Sequence, residues 1–294
     1  MTGESPQSAT GAKSSVKVRG IEHADVADVA AFLHRNLNAR VAESSWASLM
    51  TPPWTTEATN RGFLMMSDGE IVGAYVAVHA DREVEGATVS VCNLAAFCVL
   101  PEFRTHSLRL MRAMLAQKGV VFTDLSPSGA VPAMNERLGF RYLDRATRLV
   151  LNVPGSGGSV SVTDAPDELE RTLVGADLTL YRDHREAPAA RHLLVRATDG
   201  YAYLVYRRDR RKRLPLFMTP LYAGGDREIL RRGWSAVAAH LVARGLPFTL
   251  AESRILGFVP GGLGRELKNP RPRMFKGDPA PSDHLYSELA LLSW

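Results

Sequence analysis

Cysteine is nearly missing from this 294-residue chain, which contains only Cys92 and Cys98. Six positions apart in one strand-like run, the two thiols are held ~20 Å from each other along one face, far beyond disulfide reach. A disulfide framework is thereby excluded, and a metal-free chain with reduced thiols in the cytoplasm is the expectation. Aromatic residues are also few, at 7%. No apolar run approaches the ~20 residues that a membrane helix requires. The longest uncharged apolar run, residues 87–100, is interrupted by Thr88, Ser90 and Asn93, so no membrane partner is expected. Residues 1–15 lack both a basic start and an apolar centre and read as a disordered leader rather than a secretory signal.

What is present is an ordinary globular composition, 45% hydrophobic and 23% charged, which excludes collagen-like and wholly disordered chains. The length suits two domains of ~100–200 residues. Thirty-six Lys plus Arg against 31 Asp plus Glu leave a net charge of +5, which permits an anionic partner without naming one.

Hydrophobic periodicity divides the chain into alternating strands and helices. Residues 16–18 read as a strand, and Val26, Val29, Ala30, Leu33 and Leu37 place a helical stripe within 25–40. A hairpin follows, 63–66 and 71–79 around Ser67-Asp68-Gly69, because Asp-Gly tolerates the positive φ of a tight turn. Residues 87–100 predict a central strand stopped by Pro101, 105–119 a helix, 120–125 a buried strand, 128–139 a helix capped by Ser128, and 140–153 a returning strand. The Gly/Ser connector at 154–159 places a domain boundary near 157. Beyond it the order recurs: strands at 193–196, 201–207 and 215–222, a helix at 227–244 and a strand at 246–250. SDGEIVGAYVAV aligns with TDGYAYLVY, and KGVVFT with RGLPFT, which indicates an internal repeat.

The most specific signal is AFCVLPEFRTHSLRLMRAML at 96–115, with NERLGFRYL at 135–143. A strand ending in V-x-P-E-F-R, a turn, a helix, a strand and a short helix closing on x-E-x-L-G-F resembles the GNAT acyltransferase superfamily over residues 16–153. The second half resembles a more degenerate copy. The resemblance implies two α/β GNAT-like domains in tandem, each a mixed, mostly antiparallel sheet flanked by helices: an acyl-CoA-binding domain at 16–156 and a degenerate domain at 157–294. Independently of the family, a strand running into a turn and helix presents backbone amides at the positive end of a helix dipole, where a pyrophosphate fits.

The resemblance implies that Phe97, Cys98 and Val99 carry the main-chain edge for the pantetheine arm. It implies also that Arg104, Thr105, His106, Ser107, Leu108 and Arg109 form the pyrophosphate turn. This chain has Ser107 and Arg109 where the pattern R-x-x-G-x-G/A has small residues, and Asn135 where the family has the tyrosine that protonates the departing thiolate. Asparagine donates a hydrogen bond but no proton; a thiol of pKa near ~8.5 leaves tolerably without one. Residues 87–100 offer no base, so candidates are His79, Asp81, Glu83, His106, Asp124, Glu252 and His284, with Asn135, Asp124 and His79 placed in the catalytic set. Cys98 reads as a small buried hydrophobe. The basic run at 207–213 reads as a charged hairpin tip, lacking an aromatic stacking platform for RNA.

The expected activity is transfer of an acyl group, most simply acetyl, from acetyl-CoA or another acyl-CoA to an amine of a small-molecule acceptor. No nucleic-acid partner is expected. The alternatives are a catalytically lapsed CoA-binding or regulatory module and a Fem-type aminoacyl-tRNA-dependent transferase.

Overall fold

The computed structural model describes residues 15–84, 86–155, 158–211 and 213–293. Of the expected leader, residues 1–14 lie outside these, as do 156 and 157 of the connector. The chain begins with β1 (Lys17–Gly20), a 3-10 turn (His23–Asp25), α1 (Val26–Asn36) and α2 (Glu43–Ser48). Val29, Ala30 and Leu33, three and four positions apart, form the buried face of α1 as their spacing predicts. β2 (Gly62–Ser67) and β3 (Glu70–Val84) are joined at Asp68 and Gly69. Their φ angles of 51° and 85° give the turn whose twist matches paired strands. β4 (Ala87–Val99), a 3-10 turn (Pro101–His106), α3 (Ser107–Leu115), β5 (Val120–Asp124) and α4 (Val131–Arg137) follow. α4 starts after Ala130 rather than on Ser128, whose backbone carbonyl, not its hydroxyl, accepts from Val131 N.

The strand expected over 140–153 is two strands, β6 (Arg141–Tyr142) and β7 (Thr147–Leu151), and they belong to different sheets. The second half comprises β8 (Ser161–Thr163), α5 (Pro166–Thr172), α6 (Gly175–His184), β9 (Arg191–Ala197), β10 (Gly200–Arg211) and β11 (Leu214–Gly225). It continues with α7 (Arg227–Arg232), α8 (Trp234–Ala243), β12 (Phe248–Glu252), α9 (Ser253–Leu256), β13 (Gly264–Glu266), β14 (Met274–Lys276) and α10 (Glu288–Leu291). The single helix expected over 227–244 breaks at Gly233. A Cβ there would stand 2.9 Å from Ile229 O and 3.1 Å from Val160 and Val195, so only glycine admits this close packing.

The strands form two seven-stranded mixed sheets, ordered β1-β2-β3-β4-β5-β14-β6 and β8-β9-β10-β11-β12-β7-β13. The orders correspond position by position, and at the sixth place each sheet holds a strand from the other half of the sequence. β14 pairs antiparallel with β5, Met274 opposite Asp124, and β7 pairs antiparallel with β12, Thr147 opposite Glu252. One apolar core runs across both halves, from Leu33, Leu64 and Val76 to Tyr203, Val205 and Leu292. Ion pairs buried along the junction include Arg82 with Asp283 at 2.6 Å, and Glu252 between Arg273 at 3.1 Å and His284 at 2.7 Å.

Candidate active site

β4 and β5 run parallel from Ser90↔Val120 to Asn93↔Thr123, and there their ladder ends. The cause lies on the other side of β4. Val76 pairs with Ala96 and Ala77 with Leu94, which leaves Ala95 as a bulge, and a bulge adds twist and bends its strand. β4 then continues to Val99 while β5 stops at Asp124. β11 carries the same device at Leu221, since Val205 pairs with Tyr222 and Tyr206 with Pro220. Asn93 stitches the fork: its amide donates to Thr123 Oγ1 at 3.1 Å, and its Oδ1 accepts from Glu288 N at 3.0 Å.

Past the fork opens a cavity of about 460 Å³, lined by Trp46, Tyr75, Ala95, Phe97, Asp124 and Ser126 and reached by Arg271 from the second half. Asp124 ends β5 and lines this cavity. Burial, and then the charge of Glu288, push its pKa up to about 7, against the hydrogen bond from Asn135. That bond joins Asn135 Nδ2 to Asp124 Oδ2 at 2.8 Å. Glu288 is itself fully buried, its pKa raised by burial, with Ser126 Oγ donating to it at 2.7 Å. Two of the three expected catalytic residues are thus brought together. The third is not: His79 lines a separate cavity of about 380 Å³ beside Trp54, and burial pushes its pKa down to about 4, leaving it neutral.

The other candidate bases are placed elsewhere, most of them with structural partners. Asp81 accepts from Ser90, Thr56 and Glu57 N, at 2.7, 3.1 and 2.8 Å. Glu83 accepts from Thr88; Glu252 and His284 hold each other in the buried network; and His106 ends the 3-10 turn. Sequence reasoning overlooked Tyr75. It stands edge-on to Phe97 with ring centroids 4.8 Å apart, and burial together with the Asp124 charge raises its pKa, so the phenol keeps its proton. The alternation in β3 announces only a buried residue; the pairing of β3 with the bulged part of β4 puts the ring in the cavity.

Among the expected cofactor residues, Phe97 lines the cavity, Cys98 packs into the core, and Val99 pairs with Gly73. The turn after β4 differs from the expectation of unpaired amides. It winds into a 3-10 helix in which Phe103 N donates to Leu100 O and Ser107 N to Arg104 O. Ser107, without glycine's freedom, is in the right-handed helical region at φ −54° and ψ −33°. Arg104, Thr105 and Leu108 are exposed; His106 and Ser107 are half-buried. Arg109 donates to Val16 O at 2.8 Å, which turns its guanidinium toward the start of β1 rather than into the turn. In the second half Asp226 caps α7 by accepting from Glu228 N at 2.8 Å, which fills the helix end where an anion would sit. Among the described residues no three His, Cys, Asp or Glu side chains are placed to hold a metal ion, and no helix is long and apolar enough to cross a membrane.

Two mixed seven-stranded sheets flanked by helices, with central strands that part at a bulge, make this a tandem GNAT-like α/β fold. Solved structures agree. A GCN5-related N-acetyltransferase from Kribbella flavida is 16% identical, with a TM-score of 0.56, and the match covers 91% of this chain and 72% of that one. One from Anabaena variabilis is 10% identical at a TM-score of 0.56, covering 89% and 72%. A Pyrococcus horikoshii protein assigned as an acetyltransferase is 11% identical at 0.53 and matches nearly end to end, 99% of this chain against 98% of that one. No family model matches the sequence, and no curated protein does.

Proposed function

We propose that the protein transfers an acyl group, most simply acetyl, from an acyl-CoA to an amine of a small molecule by direct attack. The observation that carries this reading is Asp124, poised near neutrality and hydrogen-bonded by Asn135 in the cavity where β4 and β5 part. A carboxylate with a pKa near the working pH is suited to general-base catalysis. In this reading the acceptor nitrogen forms the new C–N bond, its proton passes to Asp124, and the thioester C–S bond breaks. The free main-chain edge of β4 at Phe97, Cys98 and Val99 holds the pantetheine arm. The turn from Arg104 to Arg109 meets the phosphates, and main-chain amides near Val99 polarise the carbonyl. Residues 16–156 form the acyl-CoA half, and the second half supplies part of the acceptor cleft, where Arg271 already lines the cavity. With its two thiols buried and unpaired, the reaction is assigned to the cytoplasm.

The test is release of free coenzyme A from acetyl- and longer acyl-CoA with a panel of amines and amino sugars, together with Asp124→Asn. Amine-dependent release that Asp124→Asn lowers by about 10²-fold or more supports the reading. A second reading, a coenzyme-binding module without turnover, has a specific observation in its favour: the wound turn with Phe103 and Ser107 amides already engaged. Coenzyme A that raises the melting temperature without any acceptor-dependent release would establish it.

A further inference from the structure

The basic run at 207–213 is not a single charged tip. Arg207 points inward, donating to Leu289 O and Leu292 O at 3.0 Å each, and Asp209 is buried. Arg208 and Arg210, on the opposite face of β10, line a cavity of about 660 Å³ in the second half, which none of the acyl-transfer residues lines. Arg185, Arg191 and Arg244 converge on the same cavity, and Asp164 is the one carboxylate in its wall.

The partners of these five arginines decide what the cavity can bind. Arg244 is neutralised, its Nε and Nη2 donating to Asp164 Oδ2 at 2.9 and 2.6 Å, and Arg185 stands 3.8 Å from Glu170. Arg191 donates to the carbonyls of Pro188 and Ala190 at 3.1 and 2.7 Å. Arg208 donates to those of Pro215 and Arg244 at 3.0 and 2.5 Å. A carbonyl fixes a guanidinium in place without cancelling its charge, and five N–H donors per arginine leave several unused. The Arg210 guanidinium has no ion pair or hydrogen bond among the described residues. Tyr206, itself buried, also lines the cavity. Tyr181 and His192, edge-on at 5.2 Å, give the wall an aromatic surface.

Like charges held in a shared concavity repel, and a multivalent anion relieves that repulsion while using the spare donors bidentately. We infer that this cavity binds a phosphorylated small molecule of nucleotide size, at a site separate from the acyl-transfer cavity. Its volume falls within the ~300–1,000 Å³ of ligand pockets, which favours a compact ligand over an RNA strand lying across the surface.

Titration calorimetry on the full chain at low salt tests this with inorganic pyrophosphate, ATP, adenosine and a single-stranded oligoribonucleotide. Pyrophosphate and ATP are expected to bind and adenosine not to. Arg210→Glu, at an exposed position without partners, is expected to weaken pyrophosphate by about tenfold or more, as loss of charge-assisted hydrogen bonds requires. Arg208→Ala is expected to weaken it too. Absence of pyrophosphate binding, binding unaffected by Arg210→Glu, or binding of the oligoribonucleotide alone would each overturn the inference. Because the acyl-transfer residues lie elsewhere, any of these results leaves the coenzyme A release assay to be judged separately.

Discussion

Asn135 donates its side-chain amide to Asp124 Oδ2 at 2.8 Å, and this bond opposes the two influences, burial and the Glu288 charge, that raise the Asp124 pKa to about 7. Removing Asn135 therefore moves that pKa higher, and removing the Glu288 charge moves it lower. In kcat/KM against pH, Asn135→Ala is expected to shift the midpoint of the acidic limb, where the base loses its proton, to higher pH. Its rate near neutrality falls by about tenfold or less, against ~10²–10⁴ for a general acid, and recovers as pH rises. Glu288→Gln, which can still accept from Ser126, shifts the midpoint down. A midpoint unmoved in both variants would remove Asp124 as the base.

Asp124 also gives folding a pH dependence. Its carboxyl titrates from 3.8 as a free group to about 7 in the folded chain, so between these values the folded state binds more protons than the unfolded state. The stabilisation it contributes is complete below the unfolded value and is lost as pH rises through the folded one. Asp124→Asn has no such loss. Melting temperatures of wild type and variant, measured from ~pH 4 to ~pH 8, are expected to diverge in the variant's favour as pH rises. A constant difference across the range would mean that Asp124 titrates as an ordinary surface carboxylate.

Glu252 shows the opposite sign. Arg273 and His284 hold its carboxyl well below the usual range against the effect of burial, so its contribution is present above its unfolded pKa and lost as pH falls. Glu252→Ala leaves Arg273 buried with its charge uncompensated, and such a break costs about 3–5 kcal/mol. Denaturant unfolding near neutral pH is the measurement. Glu252→Ala combined with Arg273→Met is expected to lose less than Glu252→Ala alone, because the unpaired charge is gone; equal losses would mean that the pair is not what holds the junction.

The elements that build the first sheet are legible because their signals are local. Asp68-Gly69 marks a turn, Pro101 ends β4, and the Val29–Leu33 spacing sets a helix face. The fork is not legible locally, since the Ala95 bulge exists only in the register between β3 and β4. Asn135 and Asp124 could be nominated, but not their contact, nor the role of Glu288, which reaches Ser126 across 162 positions of sequence. His79 carries a titratable group that could serve as a base, and only its place farther along β3, beside Trp54 in a separate cavity, separates it from Asp124. The exchange of β7 and β14 is hidden for a related reason: both are short, and each is specified by the strand it joins rather than by its own pattern.

That exchange makes each half depend on the other. A chain ending at residue 156 keeps β7 without its partner β12. It loses β14, whose Met274 is fully buried against the first sheet, and it loses the segment carrying Leu289 and Leu292, both in the shared core. Apolar surface so uncovered drives association, and β5, stripped of β14, presents an unpaired edge. Residues 1–156 alone are therefore expected to aggregate or to bind a hydrophobic dye. Refolded together with residues 157–294, they are expected to give one cooperative thermal transition, because each fragment supplies the sixth strand of the other's sheet. If residues 1–156 instead remained monomeric and melted cooperatively alone, the halves would be autonomous domains, and an acceptor cleft that draws on Arg271 from the second half would lose its structural basis.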